Sequence, residues 1–277
     1  MATIAENLQT LMDIKDDIKT SIENKGVTVG DASFGNYAEK INEISGDFDF
    51  VKIGYTQNNA NIMYENLMYS KTLYDTWDPS STSAESLYSS NKQLVYAPAI
   101  DTSNVTDMRF MFYHCDALTF IPLYNTSNVT NMAGTLTGCS ITSIPQFDTS
   151  KVTVISYCIQ SLNKLITIPL LDFGNVSNEV LSIGNNCPEL VNIGGFTNLG
   201  KGFTDSVTSS SGILTFTDSN KLSRQSCLNI FNTIYDMNLN TFYTQTSRIT
   251  LHNDVYNLLS ADDIAIATNK GWTVQSA

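Results

Sequence analysis

DTSNVTDMRFMFYHCDALTFIPLY, residues 101–124, runs directly into NTSNVTNMAGTLTGCSITSIPQF, residues 125–147. The doubling extends outward from this pair. The pattern apolar-x-x-apolar-Pro occurs at Leu94–Pro98, Leu118–Pro122, Ile141–Pro145 and Leu165–Pro169, and a fifth copy from Leu190 has Gly194 in the proline position. The prolines are 24, 23 and 24 residues apart, and Val105, Val129, Val152 and Val176 keep the same spacings. Two independent markers with one period predict stacked repeats, because a unit this short cannot bury its own apolar face.

One turn can be read from its residues. Asp101, Asn125 and Asp148 are turn formers whose side chains cap their own backbone. The valine enters the core, followed three residues on by Met108, Met132 or Ile155 at a one-turn helical spacing. Cys115 and Cys139 close that arc. The β-branched stretch before each proline reads as a strand, pairing in parallel with its neighbours about 4.8 Å away. Proline lacks an N–H and so marks the strand end. The expectation is an α/β-type solenoid of parallel-strand repeats of about 24 residues with short helical or turn arcs, preceded by N-terminal helices.

The flanks divide accordingly. Residues 1–50 form a helical leader, 51–76 a transition or N-terminal cap, 77–200 the repeats, and 201–277 strand–helix units that cap the far end. In the leader, Ile4, Leu8, Leu11, Ile14, Ile18 and Ile22 make an apolar helical stripe, with Thr3 and Glu6 placed as a capping box. A second short helix is expected over 34–44. Ten acidic and four basic residues in 1–50 mean that copies of the leader associate only through the apolar seam of Leu11 and Ile18. Near the C-terminus a strand is expected at Ile249–Leu251. Ser260 reads as a helix N-cap, Gly271 as the stop, and Trp272–Val274 as a last strand.

Composition narrows the function. The formal net charge is −12 and no run of five basic residues exists, which disfavours nucleic acid and anionic lipid as partners. Nothing approaches 18 consecutive apolar residues, so membrane insertion by a helix is not expected. The start, MATIAENLQTLMDIKDD, does not read as a secretory signal, so the protein is expected to stay where it is made or to leave by assembly into something larger. The five cysteines lack a CxxC pair and read as buried thiols.

A search for chemistry yields no GxSxG, Walker loop, HExxH or GxGxxG. His114, Cys115 and Asp116 are adjacent letters, but neighbours in sequence do not normally face one another, so Cys115 is expected inside and its neighbours outside. Gly195, Gly200 and Gly202 make only a weak phosphate-loop candidate. Asp101, Asn125, Asp148 and Asp172 form a row of turn caps, with calcium binding the competing reading. Tyr124, Phe147, Phe173 and Phe196 either form an exposed aromatic platform or wrap into the core. The sequons at Asn104, Asn125, Asn128 and Asn175 recur because the repeat recurs. No catalytic, cofactor-binding or metal-binding residue is assigned, and no cofactor.

The repeats resemble the leucine-rich-like repeats of bacterial surface antigens, which also occur in phage-encoded structural proteins. The pattern D-T-S-x-V-T-x-M-x-x-M-F-x-x-C-x-x-L-x-x-I-P is matched from Asp101 to Pro122, through Met108, Met111, Phe112 and Cys115. The second copy has Thr135 and Leu136 in place of the Met–Phe pair. The leader resembles those of phage tail, fibre and baseplate-associated proteins. The resemblance implies a bacteriophage virion protein, a fibre or tail-associated subunit whose repeat face binds a host-surface glycan or protein. It implies contacts with other virion proteins through residues 1–50 and a homo-oligomer, with a trimer favoured. An architectural head or tail decoration protein, a bacterial adhesin and a glycan depolymerase are the alternatives.

Overall fold

A computed structural model describes residues 19, 73–177, 183–204, 213–244 and 246–277. The chain divides into two units, Met1–Thr72 and Leu73–Ala277. Apart from Lys19, which is helical, the expected leader and its two helices lie outside the described residues, as does the transition up to residue 72.

In the second unit, successive repeats are bonded to one another at the sequence period. Val105, Val129, Val152 and Val176 are all fully buried, as are Met108, Met132 and Ile155. Outside this core runs a ladder of hydroxyls. Thr106, Thr130, Thr153 and Ser177 each donate both backbone N–H and side-chain O–H to the carbonyl one repeat earlier, of Thr82, Thr106, Thr130 and Thr153. Beside it, the carboxamides of Asn104, Asn128 and Asn175 donate to the carbonyls of Pro79, Ser103 and Ser150.

The arcs between valine and strand are chains of turns. In the repeat beginning at Asp101, Phe110, Phe112 and His114 donate their N–H groups forward, to the carbonyls of Ala133, Thr135 and Thr137. The alternate residues Met111, Tyr113 and Cys115 donate back three residues, to Met108, Phe110 and Phe112. Left-handed residues make this alternation possible. Ser86, Phe110, Gly134 and Tyr157 have positive φ at one phase of the repeat, and Ser90, His114, Gly138, Ser161 and Asn186 at a second phase. A left-handed residue every four positions stops a helix from propagating.

The expected α/β-type solenoid with leucine-rich-like parallel strands is not what forms. The strands make small, separate parallel sheets, none closed or curled. Strand β1 (Thr167–Ile168) pairs with β3 (Asn192–Ile193), and β2 (Leu171–Asp172) with β4 (Phe196–Thr197). Elsewhere in the repeats there are isolated bridges, such as Tyr96 with Phe120 and Ser143 with Thr167. No bridge joins Phe120 to Ser143. Two features of the sequence account for this. Each proline removes an N–H where a strand would otherwise lengthen. Cys139 is two residues from Ile141, whereas Cys115 is three from Leu118, so the third repeat enters its strand one residue early and misses its rung.

Beyond the repeats, β5 (Ile213–Phe216), β6 (Ser247–Leu251) and β7 (Trp272–Ser276) form a three-stranded parallel sheet in that order. Leu214, Ile249 and Val274 stand in one register across it. Helix α1 (Arg224–Thr233) connects β5 to β6. Helices α2 (Asn253–Tyr256) and α3 (Ala261–Thr268) connect β6 to β7. Ser260 and Asp263 make a capping box on α3, and Arg224 holds both carboxylate oxygens of Asp263, at 2.9 and 2.6 Å.

Helix α1 replaces the strand that would have followed β3 and β4. Ser226, Asn229 and Thr233 lie on one side of it, at i, i+3 and i+7. Ser226 Oγ accepts the N–H of Ile193 and donates to Val191 O. Asn229 donates to Ile193 O, and Thr233 Oγ1 accepts the N–H of Phe196. Side chains thereby satisfy backbone groups that another strand would have paired. Gly195 makes room for the contact, because a Cβ there would stand 2.6 Å from Thr233 Oγ1.

Candidate functional site

Exposed apolar side chains occur at several places on the described surface, and three of them stand at the proline corner. Phe120 is 56% exposed, Leu123 70% and Leu170 47%. Leu123, Gln146 and Leu170 each follow the proline of their own repeat, so they occupy one row on three successive repeats. Gln146 Nε2 donates to Leu170 O at 2.7 Å, which ties two members of the row together. Monomeric proteins seldom leave large apolar side chains clustered in the open without a use for them.

Next to this row lies an open cleft of about 360 Å³, between the repeats that carry Gln146–Thr149 and Leu170–Asp172 and bounded by Thr197. Its two carboxylates belong to the row of turn caps. Asp101, Asn125, Asp148 and Asp172 each accept, through Oδ1, the N–H two residues on, from Ser103, Ser127, Ser150 and Gly174. The hydroxyl and then the amide of Ser150 hold the Asp148 carboxyl below its ordinary pKa. The charge of Lys151 lowers it further, and the Lys151 ammonium donates its hydrogen bond to Asn128 Oδ1 at 2.9 Å. Among the described residues, no lysine or arginine lines the cleft.

The residues singled out in the sequence are dispersed. Cys115, Cys139, Cys158, Cys187 and Cys227 are all buried and free. Cys115 donates its S–H to Tyr88 O at 2.9 Å, and Cys139 to Phe112 O at 3.2 Å. Burial pushes the Cys115 and Cys187 thiols up to about 11 and those of Cys158 and Cys227 up to about 12, the opposite of nucleophilic activation. His114 and Asp116 face solvent, with His114 Nδ1 3.7 Å from Asp116 Oδ1. Asp116 is held by Lys92 at 2.6 Å, which lowers its pKa. The three adjacent letters therefore do not converge.

Tyr124, Phe147, Phe173 and Phe196 are buried, and the last two stack with centroids 5.3 Å apart. The aromatic row thus belongs to the core. Gly195, Gly200 and Gly202 sit against Thr233, Met237 and the Val176 carbonyl, in close packing and not in a phosphate-binding loop. Among the described residues, no three His, Cys, Asp or Glu side chains come together in a way that would hold a metal ion. The exposed Phe120 and Leu123 were not singled out from sequence, because within one repeat they look like ordinary apolar strand residues.

A family model described as "Mycoplasma protein of unknown function, DUF285" matches residues 82–180, less than half of the chain. That description supports neither the leucine-rich-like nor the phage resemblance. No curated protein and no solved structure matches the chain significantly.

Proposed function

We propose that the protein is a non-catalytic structural subunit of a bacteriophage virion, fibre- or tail-associated, whose proline-corner face binds a component of the host surface. The observation that carries the binding half is the pairing of exposed Phe120, Leu123 and Leu170 with an adjacent cleft that carries two carboxylates and, among the described residues, no lysine or arginine in its lining. The threonine and asparagine rows elsewhere on the repeats are committed to neighbouring repeats. The thiols are buried and protonated. Rigid presentation of a face suits recognition without covalent chemistry. The virion half is supported by the resemblance of the leader and repeats to phage proteins.

The test is binding of fluorescently labelled full chain to host cells, with the Phe120→Ser/Leu123→Ser variant beside it. Both side chains are exposed, so their replacement leaves the core intact. Equal binding by the two proteins removes the corner from the reading. Absence of the chain from purified virions removes the virion assignment.

A further inference from the structure

We infer that the corner cleft binds one uncharged pyranose residue of a glycan. This names the ligand class for the binding face proposed above and rests on that reading.

The cleft offers acceptors, donors and an apolar surface within one sugar-sized space. Asp148 and Asp172 each use Oδ1 in their own turn, which leaves Oδ2 uncommitted among the described residues. Two such oxygens on neighbouring repeats are acceptors of the kind that sugar hydroxyls need. The donors are the hydroxyls of Thr149 and Thr197. Thr149 is 3% exposed and accepts the N–H of Asp172 at 3.0 Å, but donates to no acceptor among the described residues.

The same row provides the comparison. Thr102, the equivalent of Thr149 two repeats earlier, donates its hydroxyl proton to Asn125 O at 2.9 Å. That proton is committed at Thr102 and has no acceptor among the described residues at either Thr126 or Thr149, and of these two only Thr149 lines the cleft. A buried hydroxyl with an unused donor is costly unless something accepts from it. Leu170, nearly half exposed, supplies the apolar surface on which the C–H face of a sugar ring rests. The volume of about 360 Å³ lies at the small end for ligand sites.

Charge decides between ligands of similar size. Two carboxylates on a chain of net charge −12 repel a uronate or sialic acid. A calcium ion or a basic side chain would use the acceptors, but would leave the Thr149 and Thr197 protons and the Leu170 surface without a role. A neutral sugar uses all three kinds of group.

The experiment is saturation-transfer NMR on the full chain with the methyl glycosides of glucose, galactose, mannose and N-acetylglucosamine. Saturation of at least one is expected. Asp172→Asn and Leu170→Ala should each weaken it about tenfold, from loss of a charge-assisted hydrogen bond or of apolar contact. Asn125 already fills the equivalent turn position, so Asp172→Asn keeps the turn. Thr149→Ser keeps the hydroxyl and should keep binding, and Asp101→Asn, outside the cleft, should change nothing. Saturation of none of the four sugars overturns the inference, as does saturation insensitive to Asp172→Asn and Leu170→Ala. Titrations with calcium chloride and with a lysine-rich peptide accompany it, and cleft-dependent binding of either in place of a sugar also overturns it. If wild type and Asp172→Asn bind host cells equally, the host-binding reading stands and the cleft falls. If the sugar binds but cells do not, the reverse holds.

Discussion

The ring of Phe110 closes over Gly134 of the next repeat, where a Cβ on the glycine would stand 2.5 Å from ring carbons Cδ1 and Cε1. His114 covers Gly138 in the same way, one turn along the arc. Gly134 also has φ +62°, a conformation that costs an L-residue about 1–2 kcal/mol. Gly134→Ala should therefore destabilise by roughly 1–3 kcal/mol, combining backbone strain with displacement of the ring. Adding Phe110→Ala should restore only the steric part. Urea denaturation of the single and double variants separates the two contributions, and full recovery in the double variant would show that the backbone conformation costs nothing.

Thr102 and Thr126 occupy equivalent buried positions but differ in their hydrogen bonding. Thr102 donates to Asn125 O, whereas Thr126 Oγ1 has no partner among the described residues. Thr102→Val should cost about 1 kcal/mol, and Thr126→Val should be neutral or stabilising. The difference in denaturation midpoints checks this.

Ser226 joins α1 to β3 through two hydrogen bonds, one accepted from Ile193 N–H and one donated to Val191 O. Ser226→Ala strands the Ile193 N–H in a buried site, while Val191 O keeps the N–H of Ser223, for a loss of about 1–3 kcal/mol. The expected readout is faster amide exchange at Ile193 than at Val129, since only the former loses its acceptor.

The thiols make stability depend on alkaline pH. Their pKa values are higher in the fold than the ordinary value of 9.0, reaching about 11 at Cys115 and about 12 at Cys158. A group shifted in this direction contributes its full stabilisation below the unfolded value and loses it as pH rises through the folded value. Tm should be flat up to about pH 8 and fall from pH 9 upward. At pH 8 a thiol reagent should label none of the five cysteines until denaturant is added. Rapid labelling of the native chain would contradict their burial.

The period of the repeats is legible in the sequence because each turn has to place a valine, a methionine or isoleucine and a proline at fixed intervals. That spacing reappears as hydrogen bonds between residues 23 to 25 apart, such as Thr130 to Thr106. Ser260 is legible too, since a serine three residues before an acid is a local capping signal. The lack of a continuous sheet is not legible. The prolines and the residue missing before Ile141 become decisive only once the register between repeats is known, and the arcs stay non-helical through left-handed turns at residues such as His114, Tyr157 and Ser161, whose types do not advertise that conformation. The cleft is hidden for a different reason. Asp148 and Thr197 are 49 positions apart, and only stacking of the repeats makes them neighbours.

Because α1 answers the last pair of short strands with serine, asparagine and threonine side chains, the terminus does not depend on how many units precede it. Units inserted or deleted upstream would leave those contacts unchanged. The reach of such a protein can therefore be lengthened or shortened in steps of one unit without redesigning its end.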